Sequence, residues 1–210
     1  YFFTRTAEDT YTVSAMVEGN GTAIYRVDYV DLNGSGCKEV VVSWQMSTGV
    51  YLLGAYSLEE AMVRSLQYAA SAPAGSASAQ GLPDREALRA TEWMTTVYDN
   101  YALYDLDQDT RTELAVVRVD KAGTNSAVDL YGWRDGSFMV RASAPLSMGI
   151  SSVEKNGVET NFLKEDGDVP VRALYISSEL ADGHHVVDVV AYQDGNLKNL
   201  SLDETGVSRE

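Results

Sequence analysis

The residues best suited to chemistry stand in 105-DLDQDTRTELAVV-117. Counting Asp105 as position 1, carboxylates fall at positions 1, 3, 5 and 9 as Asp105, Asp107, Asp109 and Glu113, directly before an apolar run. Calcium takes about six to eight hard oxygen ligands, and alternate residues of a tight loop project toward one centre. Arg111, at position 7, would contribute through its backbone carbonyl. The spacing differs from an EF-hand, whose closing Glu stands at position 12 ahead of a helix, because Glu113 already opens a predicted strand. Position 6 calls for a sharp turn that glycine makes easily, and here it is Thr110, a β-branched residue that resists positive φ. Without an ion, the same Asp residues would make turns with their own backbone.

Two further stretches follow the same pattern. At an offset of 74, 31-DLNGSGCKEVVVSW-44 places Asp31, Asn33, Ser35 and Glu39 on the four ligand positions and Gly36 on position 6. At an offset of 59, 164-KEDGDVPVRALYI-176 keeps Asp166 and Asp168 but sets Lys164 and Arg172 at positions 1 and 9. The expectation is that these two basic side chains neutralise the acids in place of an ion. Paired carboxylates also serve glycoside hydrolysis, so a carbohydrate-active enzyme, or its accessory domain, is the competing reading. The chain has no G-x-S-x-G, H-E-x-x-H, G-x-G-x-x-G or Walker sequence.

Other chemistry-bearing residues are few. One cysteine, Cys37, excludes an intramolecular disulfide, and only two histidines, His184 and His185, exclude a Cys/His zinc site. The histidine pair falls at a predicted turn and reads as exposed. Trp133 and Tyr192 share a repeat position and read as packing residues. Trp44 and Trp93 have no repeat equivalents, which makes them better candidates for an exposed ligand contact.

The elements that position these residues are β-strands in a repeat. The segment 129-DLYGWRDGSFMV falls without a gap on 188-DVVAYQDGNLKN at the same offset of 59. Strands are expected at 23-AIYRVDYV, 40-VVVSW, 96-TVYDNYALY, 114-LAVVRV, 126-SAVDLYGW, 137-SFMVRA and 173-ALYI, with two-residue Asp-Gly hairpin turns at 135 and 194. Continuing the first copy, 50-VYLLGAYSLEEAMVR resembles the later hairpins with one residue inserted. A flexible small-residue linker is expected over 69–82 and a short helix over 83–94. The fold expected is all-β, with about three four-stranded antiparallel propeller blades in one domain over 1–210, the repeats covering 22–70, 96–145 and 155–203. Residues 1–19 would supply strands of a fourth blade, and open sheet edges would be able to pair with another chain.

Thirty-one acids against sixteen bases give a net charge of −15, which repels nucleic acid and anionic membrane surfaces. No apolar stretch approaches the roughly 20 residues of a spanning helix. The chain opens at Tyr1 without a signal-like segment and reads as a mature or trimmed piece.

The strings DLNGSGCKEVVV and DLDQDTRTELAVV, with the hairpins 131-YGWRDG and 190-VAYQDG, resemble FG-GAP/VCBS-type repeats, found in integrin-like propellers and many exported bacterial proteins. The resemblance covers roughly residues 22 to 203. It implies propeller blades with calcium in the loop between the first two strands, held by Asp105, Asp107, Asp109 and Glu113 and less completely by Asp31, Asn33, Ser35 and Glu39. The chain is also similar to surface lipoproteins of Gram-positive gut bacteria. That implies an extracytoplasmic, lipid-anchored or secreted binding or scaffolding module whose ligand is a protein or a cell-wall glycan.

Overall fold

In the computed structural model the described residues are 1–8, 10–71, 84–122, 124–163 and 170–202. Most of them are antiparallel β, arranged in one two-stranded and three four-stranded sheets. They fall into two compact units, Tyr1–Val30 with Gly36–Thr96, and Asp31–Ser35 with Val97–Glu210.

The first unit opens with the hairpin β1 (Phe2–Ala7) and β2 (Thr10–Ala15), so residues 1–19 do supply strands. Its four-stranded sheet runs in order β3 (Ala23–Val30), β4 (Glu39–Gln45), β5 (Tyr51–Ser57) and β6 (Thr91–Tyr98). The β4 sequence EVVVSWQ is buried on both faces, as a β-branched run in a covered sheet should be. Val40, Val42 and Trp44 pack with Ala15, Tyr56, Leu58, Ala61 and Ala90 in one core.

Between β5 and β6 the chain makes the helix α1 (Glu59–Ser71) where the sequence suggests a second hairpin strand. The reason is local. Ser57-Leu58-Glu59-Glu60 has the capping-box pattern, the Glu59 N–H donates to Ser57 Oγ at 3.4 Å, and two acids occupy the first turn. Helix α1 also takes up the start of the expected linker, of which 72–82 lie outside the described residues. The helix expected over 83–94 shrinks to one 3-10 turn, Arg85–Leu88, capped by Asp84. Thr91 onward is strand because it completes the sheet beside β5. The expected single strand at 96–104 is likewise divided: β6 ends at Tyr98, and β7 (Asn100–Tyr104) starts the next sheet.

The second unit contains two meanders. One is β7, β8 (Glu113–Arg118), β9 (Ala127–Arg134) and β10 (Ser137–Pro145); the other is β11 (Ile150–Leu163), β12 (Val171–Leu180), β13 (His185–Gln193) and β14 (Asn196–Asn199). Both Asp-Gly pairs are two-residue hairpins with positive φ at each residue, 50° and 81° at Asp135-Gly136, 52° and 79° at Asp194-Gly195. That is the type I′ geometry matching the twist of paired strands. The sheets share one core in which Ala115, Val117, Val128 and Leu130 meet Leu174, Ile176 and Val190. Asp129 and Asp188, at equivalent positions, are buried but paired. Asp129 accepts from Arg118 at 2.6 Å and Ser143 at 2.6 Å, and Asp188 from Ser147 Oγ at 2.8 Å and Asn199 at 2.7 Å.

Register corrects the repeat alignment of the third copy. Leu114 pairs with Tyr131, whose equivalent across the hairpin is Val190, and Val190 pairs with Leu174. Leu114 therefore corresponds to Leu174, one residue beyond the gapless match, and Ala173 stands where Glu113 does. A one-residue slip moves a side chain to the other face of the sheet. Arg172 accordingly points away from the Glu113-type position, its guanidinium 5.1 Å from the Phe162 ring centroid. Lys164, Asp166 and Asp168 lie outside the described residues.

Candidate metal centre

The loop between β7 and β8 is anchored by Leu106, which is buried, as is its counterpart Leu32 in the loop between β3 and β4. Anchored this way, the intervening residues fold over their own acids. Asp105 Oδ2 accepts from the Thr110 N–H at 3.2 Å, Asp107 Oδ1 from Asp109 at 3.1 Å, and Asp109 Oδ1 from Arg111 at 2.8 Å. In the first loop Asp31 Oδ1 accepts from Gly34 and Ser35 at 2.7 and 3.1 Å, and Asn33 Oδ1 from Ser35 at 2.8 Å.

The two loops share a backbone trace. Gly34 and Gly36 have φ of 73° and 81°, and the equivalent Gln108 and Thr110 have 61° and 75°. Thr110 thus adopts the left-handed conformation that its side chain disfavours, at a cost on the order of 1–3 kcal/mol. The loop keeps a glycine geometry without the glycine.

Three carboxylates converge: one oxygen each from Asp105, Asp107 and Asp109 lie within 4.8 Å of one another. Asp105 Oδ1 is buried with no hydrogen-bond partner, which leaves an acceptor unsatisfied at a cost of about 1–3 kcal/mol. An oxygen trio with one orphaned buried member fits a hard cation. In the first loop Asp31 and Glu39 are the only acids, with Asn33 and Ser35 between them, so it offers a thinner ligand set.

Glu113 does not join the trio. It is 1% exposed, one oxygen accepting from the Leu106 N–H at 2.8 Å, so it closes the loop onto the strand. Burial is the largest influence on its pKa and, helped by Asp107 and Asp109, pushes it up to about 7 against the opposing Leu106 hydrogen bond and Arg141. Glu39 is equally buried at the equivalent place.

Arg141, unremarked in the sequence, is the cation of this site. Its Nη1 is 2.9 Å from Asp107 and 3.4 Å from Glu113, so Asp107 is its main charge partner. Its Nη2 donates to the Tyr192 hydroxyl at 3.4 Å, and the guanidinium lies 5.8 Å from that ring's centroid. Arg141 is the extra residue of a β-bulge, since Val140 pairs with Tyr131 and Ala142 with Leu130. Bulges re-aim side chains in this way. Gly132 makes the room: a Cβ there would come within 2.6 Å of Arg141 Cδ and 3.4 Å of Glu113 Cγ. The glycine inside YGWRDG was the one available signal.

Comparison with protein-family models, curated proteins and solved structures returns no match. The reading of the site therefore rests on its geometry.

The other candidates fall as follows. Trp44 is 6% exposed in the core of the first unit, so it is no exposed ligand contact; its place in the all-buried β4 is why. Trp93 and Trp133 are half-buried on β6 and β9. Tyr192 packs against the core of the second unit. His184 and His185 are exposed, the first 3.0 Å from Asp182 and the second 2.8 Å from Glu154. Cys37 is exposed and forms no disulfide. Among the described residues no helix is long and apolar enough to cross a membrane.

Proposed function

We propose that this chain is a calcium-stabilised β-repeat module of the FG-GAP/VCBS kind, with propeller-type blades, acting outside the cytoplasm as a non-catalytic binding or scaffolding element. The observation that carries the reading is the orphaned, buried Asp105 Oδ1 within a trio of aspartates. Calcium bound there satisfies that oxygen and neutralises a cluster that Arg141 alone balances only in part. Asp105, Asp107, Asp109 and the Arg111 carbonyl hold the ion. Glu113 holds the loop shut. Asp31, Asn33 and Ser35 form a weaker second site.

The blade reading is supported within the second unit, where first strand lies by first strand, β7 by β11, and last by last, β10 by β14. Successive propeller blades have that relation. An extracytoplasmic setting follows from affinity: loops with so few carboxylates bind calcium at about 10⁻⁴–10⁻³ M, concentrations met outside cells. Lipid anchoring or secretion, and a protein or cell-wall glycan ligand, complete the proposal.

Against catalysis stands the burial of Glu113: a carboxyl with a pKa suited to acid–base work is useless if substrate cannot touch it. A thermal melt with millimolar calcium and with EDTA tests the ion. Calcium should raise Tm by about 2–5 °C, and an unchanged Tm counts against the site. Arrays of glycans and cell-wall fragments test the role: retention without turnover supports a binding module, and turnover overturns it.

A further inference from the structure

We propose that β3 is a self-association edge: two copies of the chain pair antiparallel through Ala23–Val30 about a twofold axis at Val27. This goes beyond the calcium loop and does not depend on it. Strand β3 is at one end of its sheet, so one side of its backbone lacks a ladder partner among the described residues. Ile24, Tyr25, Val27 and Tyr29 on it are 59%, 60%, 37% and 55% exposed.

Proteins blunt free edges with short strands, proline, bulges or charge. The edges of the second unit show these devices. Strands β7 and β14 have five and four residues; β10 is bulged and ends at Pro145; β11 slips register between Val153 and Val158 and carries Glu154 and Lys155. Strand β3 has eight residues and no proline, glycine or lysine. It does carry one bulge, between Ile24 and Arg26, and two charges, Arg26 and Asp28, which are of opposite sign.

The occupant is set by the charge pattern. Tyr25-Arg26-Val27-Asp28-Tyr29 is its own complement when reversed. Antiparallel pairing about Val27 sets Arg26 against Asp28 of the second copy and Asp28 against its Arg26, with Val27 on Val27. Arg26, Val27 and Asp28 lie in the regular part of the strand, and Tyr29 meets Tyr25 at the bulge. In the single chain Arg26 and Asp28 bond to each other along one face, Nε to Oδ2 at 2.9 Å. They already stand side by side on the strand. Opposite charges facing across strands stabilise and like charges destabilise, and the twofold doubles each effect. The tyrosines supply apolar cover: Tyr25 is held edge-on by Tyr51 and Tyr29 by Phe2, centroids 5.1 and 6.2 Å apart.

The test is sedimentation velocity of the full chain across concentration, for wild type, Arg26→Asp, Asp28→Arg and the double exchange Arg26→Asp/Asp28→Arg. Circular dichroism and a melt verify that each is folded. The wild type should approach twice its 22.9 kDa mass. Each single variant sets like charges opposite each other twice and should weaken association on the order of tenfold or more. The double exchange restores the pairs and should restore the dimer. Should a single variant unfold, Val27→Lys, which opposes two ammonium groups at the axis, carries the same readout. A wild type monomeric at every concentration overturns the proposal, whatever other strand the edge accepts. So do single variants that dimerise as well as the wild type, or a folded double variant that stays monomeric.

Discussion

Glu113→Gln is the substitution whose outcome follows most directly from the geometry. The carboxyl is buried, its pKa pushed up from 4.5 to about 7, with desolvation as the leading cause. An acid whose pKa is higher folded than unfolded favours folding while it is protonated. Its contribution is complete below pH 4.5, declines as pH rises and is gone above about pH 7. The full span is about 3 kcal/mol, of which about 2 kcal/mol is lost between roughly pH 5 and pH 7.5. Gln keeps an acceptor for the Leu106 N–H and has no charge to desolvate. In urea unfolding with EDTA present, the variant should match the wild type near about pH 5 and be more stable near about pH 7.5, by about 2 kcal/mol. A difference that stays constant with pH, or one in which the wild type gains as pH rises, refutes the account of Glu113.

Two further substitutions probe the same loop. Thr110→Gly relieves the positive φ at a smaller entropic cost, and should raise stability by about 1 kcal/mol in urea unfolding; equal or lower stability would mean that the loop bears no strain there. Arg141→Gln removes the cation beside Asp107 and Glu113, so the EDTA-treated protein should lose about 2–3 kcal/mol. Its calcium-induced rise in Tm should then exceed that of the wild type, because the ion no longer shares Asp107 with a guanidinium; a smaller rise would contradict competition between the two.

The strands were legible because their signals are local. EVVVSW and ELAVVR are continuous apolar runs, and each Asp-Gly pair permits a tight hairpin that few other dipeptides do. The aspartate trio was legible as a spacing. What escaped notice depends on distant partners or on competition between local signals. Helix α1 itself buries mainly Ala61 and Ser65, with Leu58 just before it, so a weak apolar stripe was outweighed by its likeness to a hairpin, although Ser57-Leu58-Glu59-Glu60 marked its start. The division of 96–104 between β6 and β7 is made by which sheet each half completes. Arg141 reaches the loop from a bulge on β10, and nothing in the spacing of SFMVRA marks a bulge. The same holds for β12, whose one-residue slip replaces Arg172 by Ala173 beside the third loop. Glu113 was legible as an acid but not as the acid that closes the loop, since its role is set by burial and by the Leu106 N–H.

The central claim is that residues 105–111 hold calcium, and isothermal titration of the EDTA-stripped, dialysed chain addresses it most directly. The wild type should bind calcium with a dissociation constant of about 10⁻⁴–10⁻³ M. Asp105→Asn, which weakens the oxygen now without a partner, should weaken this site on the order of tenfold or more, while Asp31→Asn leaves it unchanged. Titrations showing no heat at millimolar calcium, or an Asp105→Asn variant that binds like the wild type, would contradict the account.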